Sequence, residues 1–112
     1  MFEYHVVTNK DSPMIKRIVK MELLPENEAL FISIFDSAKK QIRNQTGCEG
    51  VELLRSPAGD HLNIWTISLW HSEEDLNNYR YSELFVKTWS TVKPLFCGKT
   101  RAWTLTSIET LS

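Results

Sequence analysis

The segment at residues 61–70 constrains the fold most, because it is apolar on both of its sides. Alternate side chains of an extended strand point to opposite faces of a sheet. Large apolar side chains occupy both faces here: Leu62, Ile64 and Trp70 lie on one, and Trp65, Ile67 and Leu69 lie on the other. A strand of this kind must be covered on both sides, so the sheet that contains it needs a layer against each face.

The segments before this strand predict a strand, a helix and a second strand. Residues 14–24 alternate with a period of two, which is typical of a strand with one buried face. Residues 25–47 begin with proline, end at glycine and carry an apolar stripe at helical spacing. Residues 51–55 predict a short strand, and residues 56–60 predict a hairpin loop of about five residues. The helical stripe consists of Phe31, Ile34, Phe35, Ala38 and Ile42.

The segments after the apolar strand predict a helical region and a last strand. Ser72 and Ser82 can each cap a helix, and acidic residues follow each serine. Pro94 marks the end of the helical region, and residues 100–110 alternate as a strand. The order β-α-β-β-α-β is typical of an α+β, ferredoxin-like fold with an antiparallel sheet. Two helices cover one face of such a sheet, so we predict that the other face meets a second copy in a homodimer.

Composition excludes several classes of partner. The 112 residues include 13 Lys and Arg against 14 Asp and Glu, and the net charge of −1 gives no electrostatic basis for nucleic-acid binding. No apolar stretch approaches the ~18 residues that span a membrane, and residues 1–10 lack the apolar core of a secretory signal. We therefore predict a cytoplasmic protein with one domain at residues 14–112 and an extension at residues 1–13, either an edge strand or an arm. Cys48 and Cys97 are expected to be reduced and mostly buried.

Motifs for phosphate binding, zinc binding or a nucleophilic serine are absent from the sequence. His5, His61 and His71 are scattered, and the acidic run at residues 73–75 is explained by the dipole of the predicted helix. A concentration of aromatic side chains remains. It consists of Trp65, Trp70, Tyr79, Tyr81, Phe85 and Trp89. Such a cluster either fills a core or lines an apolar pocket for a small molecule.

Three short segments resemble the antibiotic biosynthesis monooxygenase family. Residues 70–76, WHSEEDL, are similar to its W-x-S-x-E-x-L stretch. Residues 79–85, YRYSELF, are similar to the segment that follows, in which a histidine often precedes a short x-x-S-x-x-F run. Residues 47–53, GCEGVEL, are similar to the G-C-x-G-[FY]-E-L segment after the first helix. The resemblance extends over most of the chain.

The resemblance implies a dimeric α/β barrel with a pocket between the sheet and the helices of each monomer. Characterised members oxidise quinols or phenolic polyketides with O₂ and no cofactor, and others degrade haem. For this chain it implies a monooxygenase for a small aromatic substrate, with no cofactor and no metal. The predicted site has Tyr79 as catalytic residue, and Trp70, Tyr79, Trp89 and Ser68 as substrate-binding residues. If the helices cover the Trp65 face of the sheet instead, Trp70 belongs to the dimer interface.

The chain departs from the family pattern at four positions. Tyr79 stands where many members have histidine and Ser68 where many have glutamate, so two proton carriers are missing. Trp89 replaces the haem-binding histidine of haem-degrading members, and Val19 falls near their functional asparagine, so we expect no haem degradation. Two other hypotheses stay open: a non-catalytic ligand-binding or stress-response dimer with the same pocket, and, ranked last for want of a general base, an isomerase or lyase.

Overall fold

The computed structural model describes residues 6–7 and 14–111. Besides 3₁₀ turns at Pro25–Asn27 and Lys93–Leu95, the described chain contains six strands and three α-helices. In chain order these elements are β1 (Val6–Val7), β2 (Ile15–Leu23), α1 (Glu28–Arg43), β3 (Cys48–Ala58), β4 (His61–Trp70), α2 (Glu73–Arg80), α3 (Glu83–Val92), β5 (Arg101–Thr106) and β6 (Thr110–Leu111). Within the described residues, no helix is both long and apolar enough to cross a membrane.

Four of the strands form one antiparallel sheet in the order β3-β4-β2-β5. The first crossover carries α1 and the second carries α2 and α3, and α1 packs against both α3 and β3. This confirms the predicted α+β, ferredoxin-like arrangement. β3 forms one edge of this sheet and β5 forms the other.

The last strand differs from the prediction, which gave one strand over residues 100–110. In the sheet, β5 stops at Thr106, which lies opposite Ile15, the first residue of β2. Beyond Thr106 the Ser107 N–H still donates to the Met14 carbonyl at 2.8 Å, but Met14 precedes β2, and the chain then continues to β6, which pairs with β1. Of the predicted extension at residues 1–13, only the two residues of β1 are described, and the rest lies outside the described residues.

The hairpin between β3 and β4 is tighter than predicted. β3 extends well beyond residues 51–55, and the connecting loop has two residues, Gly59 and Asp60, instead of about five. Gly59 has a φ of +66° at the first loop position, where type II′ hairpin turns place glycine. Pro57 is tolerated within β3 because β3 is an edge strand, which has unpaired backbone groups on its outer side.

Both serine caps are confirmed. Ser72 Oγ accepts a hydrogen bond from the Asp75 backbone N–H at 3.1 Å, and Ser82 Oγ accepts one from the Phe85 N–H at 3.2 Å. Each bond satisfies a backbone donor that the first turn of a helix leaves without an intrahelical partner. These caps fix where α2 and α3 begin, and therefore which of their side chains face the sheet.

The helices cover the face of the sheet that carries Trp70. On β4, Ile64 and Trp70 are 2% and 0% exposed, and on β2, Met21 and Leu23 are 3% and 0% exposed. Tyr79 of α2 stacks on Trp70, which places α2 on this face. The opposite face, with Trp65, has no helix of the described chain against it.

The two cysteines differ in exposure. Cys48 is buried, as predicted, where β3 begins beside Trp70. The prediction of a mostly buried thiol at Cys97 is wrong, because that residue lies exposed in the segment between the second 3₁₀ turn and β5. Its backbone N–H still donates to the Glu22 carbonyl at 2.9 Å, so the backbone is fixed while the side chain faces outward.

Candidate functional site

A cavity of about 360 Å³ lies between the helices and the sheet face that they cover. Aromatic side chains form much of its wall: Phe31, Phe35, Tyr79, Phe85 and Trp89. The polar residues of the wall are Arg17, Thr66, Ser68, Arg80, Thr88 and Thr100. A largely apolar cavity of this size with a few polar groups is the usual form of a small-molecule site.

Short side chains in the middle of the sheet create the space. Thr66 and Ser68 lie on β4 between Ile64 and Trp70, and all four share one face. Ile64 belongs to one buried apolar cluster and Trp70 to a second. The cavity lies over the smaller residues, between these two clusters, because Thr66 and Ser68 do not reach the helices as Ile64 and Trp70 do.

Trp70 lies behind the cavity wall and does not form part of it. Its side chain is 0% exposed, and its ring stacks on Tyr79 with 5.0 Å between ring centroids. Its Nε1–H donates to Ser68 Oγ at 2.9 Å. Trp70 therefore holds two of the wall residues, whereas the sequence prediction gave it direct contact with the substrate.

Tyr79 is packed between two other rings. One face stacks on Trp70, and Phe85 approaches edge-on with a centroid distance of 5.2 Å. Burial raises the pKa of Tyr79 to about 12, with a smaller contribution from Cys48. The phenol is therefore neutral near pH 7. Its hydroxyl has no hydrogen bond to another described residue, so it can donate one to a molecule in the cavity.

Trp89 extends the aromatic wall along α3. It stacks on Phe85 with a centroid distance of 6.1 Å and an interplanar angle of 4°, and it meets Phe96 edge-on at 5.4 Å. The structure thus brings Ser68, Tyr79 and Trp89 to one cavity. Flat, rigid rings arranged in this way can hold a planar ligand with little loss of side-chain entropy.

Two cavity residues, Arg17 and Arg80, are missing from the site predicted from the sequence. Arg17 lies on β2 in the same alternation as the buried apolar residues, and Arg80 is the last residue of α2. Arg17 Nη1 donates to Thr104 Oγ1 at 2.7 Å. Burial, and then the charge of Arg80, lower the pKa of Arg17. The sequence signal that identifies Arg17 is its position, because the alternation of β2 places this arginine on the buried face of the strand.

Strong proton acceptors are absent from the wall. Among the described residues, no Asp, Glu or His lines the cavity. His71 follows Trp70 in the chain but turns outward, where its Nε2 contacts Glu49 Oε1 on the surface. Over residues 6–7 and 14–111, no three His, Cys, Asp or Glu side chains lie together in a way that could hold a metal ion. The titratable groups at the cavity are thus one phenol and two guanidinium groups.

Comparison with solved structures places this fold among known ones. A protein from Caulobacter crescentus, assigned as an antibiotic biosynthesis monooxygenase, superposes with a TM-score of 0.77 at 19% identity, over 87% of this chain and 92% of that one. A conserved protein from Methanosarcina mazei gives 0.73 at 16% identity, over 84% and 92%. SnoaB, a cofactor-independent oxygenase from Streptomyces nogalater, gives 0.73 at 16% identity, over 88% and 97%. At these identities the likeness shows the fold alone.

The sequence itself carries the family assignment. No curated protein matches the chain by sequence. The family model for antibiotic biosynthesis monooxygenases, however, matches residues 14–89. This range runs from the start of β2 into α3 and contains all three of the segments that resemble the family. Because the match spans well over half of the chain, the protein belongs to the antibiotic biosynthesis monooxygenase family.

Proposed function

We propose that this chain is a cofactor-independent monooxygenase that oxidises a small quinol or phenolic substrate with O₂. The observation that carries the proposal is the cavity of about 360 Å³, which has an aromatic wall and few polar groups. It lies in a chain of a monooxygenase family. Its volume and wall suit a flat ligand of a few fused rings.

For the proposed reaction the protein has to enclose the substrate, orient it and assist the transfer of one proton. An electron-rich quinol or anthrone that has lost a proton can reduce O₂ directly. With an anthrone, a ring CH₂ group and O₂ give a C=O group and one water, so one oxygen atom enters the substrate. An apolar cavity keeps out bulk water, and fixed rings hold the substrate in one orientation.

The wall residues take distinct roles in this proposal. Tyr79 is the catalytic residue, because its neutral hydroxyl can donate to an oxygen of the substrate. Ser68 accepts from Trp70, which leaves the serine proton available for the ligand. Trp89 and Phe85 form a flat platform for the aromatic rings. Trp70 acts as a positioning residue for Tyr79 and Ser68.

The experiment is oxygen uptake by the purified protein with a panel of hydroquinones and anthrones and no added cofactor. We expect uptake that depends on both protein and substrate, and that falls in Tyr79→Phe. Tyr81→Phe is the matched control, because Tyr81 is 83% exposed and lies two residues along the chain. If no compound of the panel is consumed although a quinone binds, the proposal is wrong.

A non-catalytic ligand-binding dimer is the second candidate. The observation that favours it is the lack of any Asp, Glu or His in the described cavity wall, since quinol oxidation needs the loss of a proton. The two functions separate in one measurement. Quenching of the tryptophan fluorescence by a quinone reports binding, and oxygen uptake with the matching quinol reports turnover.

We also propose that two copies of the chain pair through the open face of the sheet. Trp65 and Trp103 stack there with a centroid distance of 6.4 Å, and Trp103 and Leu105 are 39% and 48% exposed. The strand pairing places further apolar residues on the same face: Ile18, Leu54, Ile67 and Leu69. A contiguous apolar face of this kind marks a protein interface, and a second copy offers the same apolar surface in return.

A further inference from the structure

We infer that the cavity binds its ligand as an anion, with an ionised oxygen held by Arg17 and Arg80. The inference rests on the proposed use of the cavity for an aromatic small molecule and adds the charge of that molecule. The ionised oxygen belongs either to a carboxylate substituent or to a phenol of the ligand itself.

The first observation is an uncompensated positive charge in the wall. Both arginines line the cavity and are half-buried. Within the described chain, no carboxylate lies within ion-pair distance of either guanidinium group, although Arg55, on the surface, pairs with Glu28 at 2.7 Å. Two cations therefore face a mostly apolar space with no anion of the described residues to balance them.

The second observation is the number of unused donors. A guanidinium group has five N–H donors in a planar fork that fits a carboxylate or phenolate oxygen. Arg17 makes one hydrogen bond, to Thr104 Oγ1, and Arg80 makes none to another described side chain or carbonyl. Partly buried charged donors cost free energy when they have no partner, so an anion in the cavity would relieve that cost.

The electrostatics point the same way. Burial, and then the charge of Arg80, lower the pKa of Arg17, and the second cause shows that the two cations repel each other. An anion between them would turn this repulsion into two attractions. If the anion is a phenolate, the arginines lower the pKa of the bound phenol, so that its proton is lost to water and not to a side chain of the described wall.

The experiment compares matched charged and neutral probes. Dissociation constants are measured by tryptophan quenching for 2-naphthoate and for the neutral 2-naphthamide, on the full chain. We expect naphthoate to bind the wild type at least tenfold more tightly than the amide, as one charge-assisted pair suggests. Arg17→Gln and Arg80→Gln should remove most of this preference. Arg17→Lys keeps the charge and should retain part of it, and Arg55→Gln, whose side chain is 64% exposed, is the control.

A second arm identifies the source of the charge. The absorption spectrum of bound 2-naphthol shows whether it binds as naphthol or as naphtholate. A naphtholate spectrum at neutral pH that Arg17→Gln abolishes assigns the anion to the phenol, and a naphthol spectrum together with naphthoate preference assigns it to a carboxylate. Circular dichroism checks that each variant is folded.

Three results would overturn the inference: equal affinity for naphthoate and naphthamide, no binding of naphthoate at millimolar concentration, or a preference that survives in both glutamine variants. The inference and the proposed oxygenase activity can fail independently of each other. Anion-selective binding without oxygen uptake keeps the inference and removes the oxygenase. Uptake with neutral quinols that is unchanged in Arg17→Gln keeps the oxygenase and removes the inference.

Discussion

Replacing Tyr79 by phenylalanine should separate ligand binding from stability at a single position. The ring contacts survive the change, because phenylalanine keeps the stack on Trp70 at 5.0 Å and the edge contact with Phe85 at 5.2 Å. The lost hydroxyl has no hydrogen-bond partner among the described residues, so its removal leaves no protein group unsatisfied. We expect the free energy of unfolding to change by less than about 0.5 kcal/mol.

The effect on the ligand follows from the one hydrogen bond that the hydroxyl can donate. A neutral hydrogen bond contributes about 1 kcal/mol net, which corresponds to about fivefold in a dissociation constant. We expect a loss of this size in quinone affinity, or in kcat/KM for oxygen uptake if the protein turns over. Urea unfolding gives the stability, and Tyr81→Phe, at a site that is 83% exposed, should match the wild type in every assay.

Two results would refute this reasoning. A loss of more than about 1.5 kcal/mol of stability in Tyr79→Phe would mean that the hydroxyl has a structural partner in the protein. Unchanged affinity and turnover, with a quinone that does bind, would mean that the hydroxyl does not face the ligand.

Three further predictions concern titration, assembly and backbone geometry. Burial raises the pKa of Tyr79 from 10.0 to about 12, so the unfolded chain ionises first and stability should fall by roughly 2 kcal/mol between pH 10 and 12. Urea titrations against pH should show a shallower fall in Tyr79→Phe. An interface on the open face should bury more than about 2,000 Å² in total, so sedimentation at micromolar concentration should show a dimer. Trp103→Glu on that face should give a monomer, and a monomeric wild type would contradict the prediction. Gly47→Ala should lower the free energy of unfolding in urea by about 1–2 kcal/mol, because φ is +82° and the new Cβ would lie 2.2 Å from Asp75 Oδ2. Gly50→Ala is the control and should cost less, because the atom nearest to its new Cβ would lie 3.8 Å away.

Local signals were sufficient to predict most of the fold. The alternation in residues 14–24 and the doubly apolar segment at 61–70 predict two central strands, which the structure has at β2 and β4. Ser72 and Ser82 cap the helices where the sequence places them. Each of these signals depends on residues a few positions apart, which is why single segments reveal them.

The extent of the outer strands was harder to predict, because a strand end depends on its partner. β5 stops where β2 begins, and no pattern within residues 100–110 records that limit. β3 is longer than predicted because β4 offers a paired neighbour from Trp70 back to His61, opposite Cys48 and Ala58. Pairing over this length overrides the turn character of the serine and proline near its end.

The same reasoning explains which parts of the site the sequence revealed. Tyr79 and Trp89 belong to an aromatic concentration that is visible along the chain, and both reach the cavity. Arg17 and Arg80 line one cavity because β2 pairs with β4 and α2 packs against β4, which brings together residues that are far apart in sequence. Trp70 was expected in the wall, but Tyr79 stacks over its ring and separates it from the space.

The two buried clusters and the polar residues of the cavity wall lie on the same face of the sheet. The buried clusters around Ile64 and Trp70 hold the helices to the sheet at two places, and each is closed by large apolar side chains. Ser68 and Arg17, two polar wall residues on the sheet, contribute little buried apolar area, so they can change at small cost to the fold, whereas Phe31 belongs both to the wall and to a buried cluster. Solved relatives at 16–19% identity keep the fold with TM-scores of 0.73–0.77. In such an architecture the clusters hold the helices to the sheet, and we expect the polar residues between them to determine which molecule the proposed site accepts.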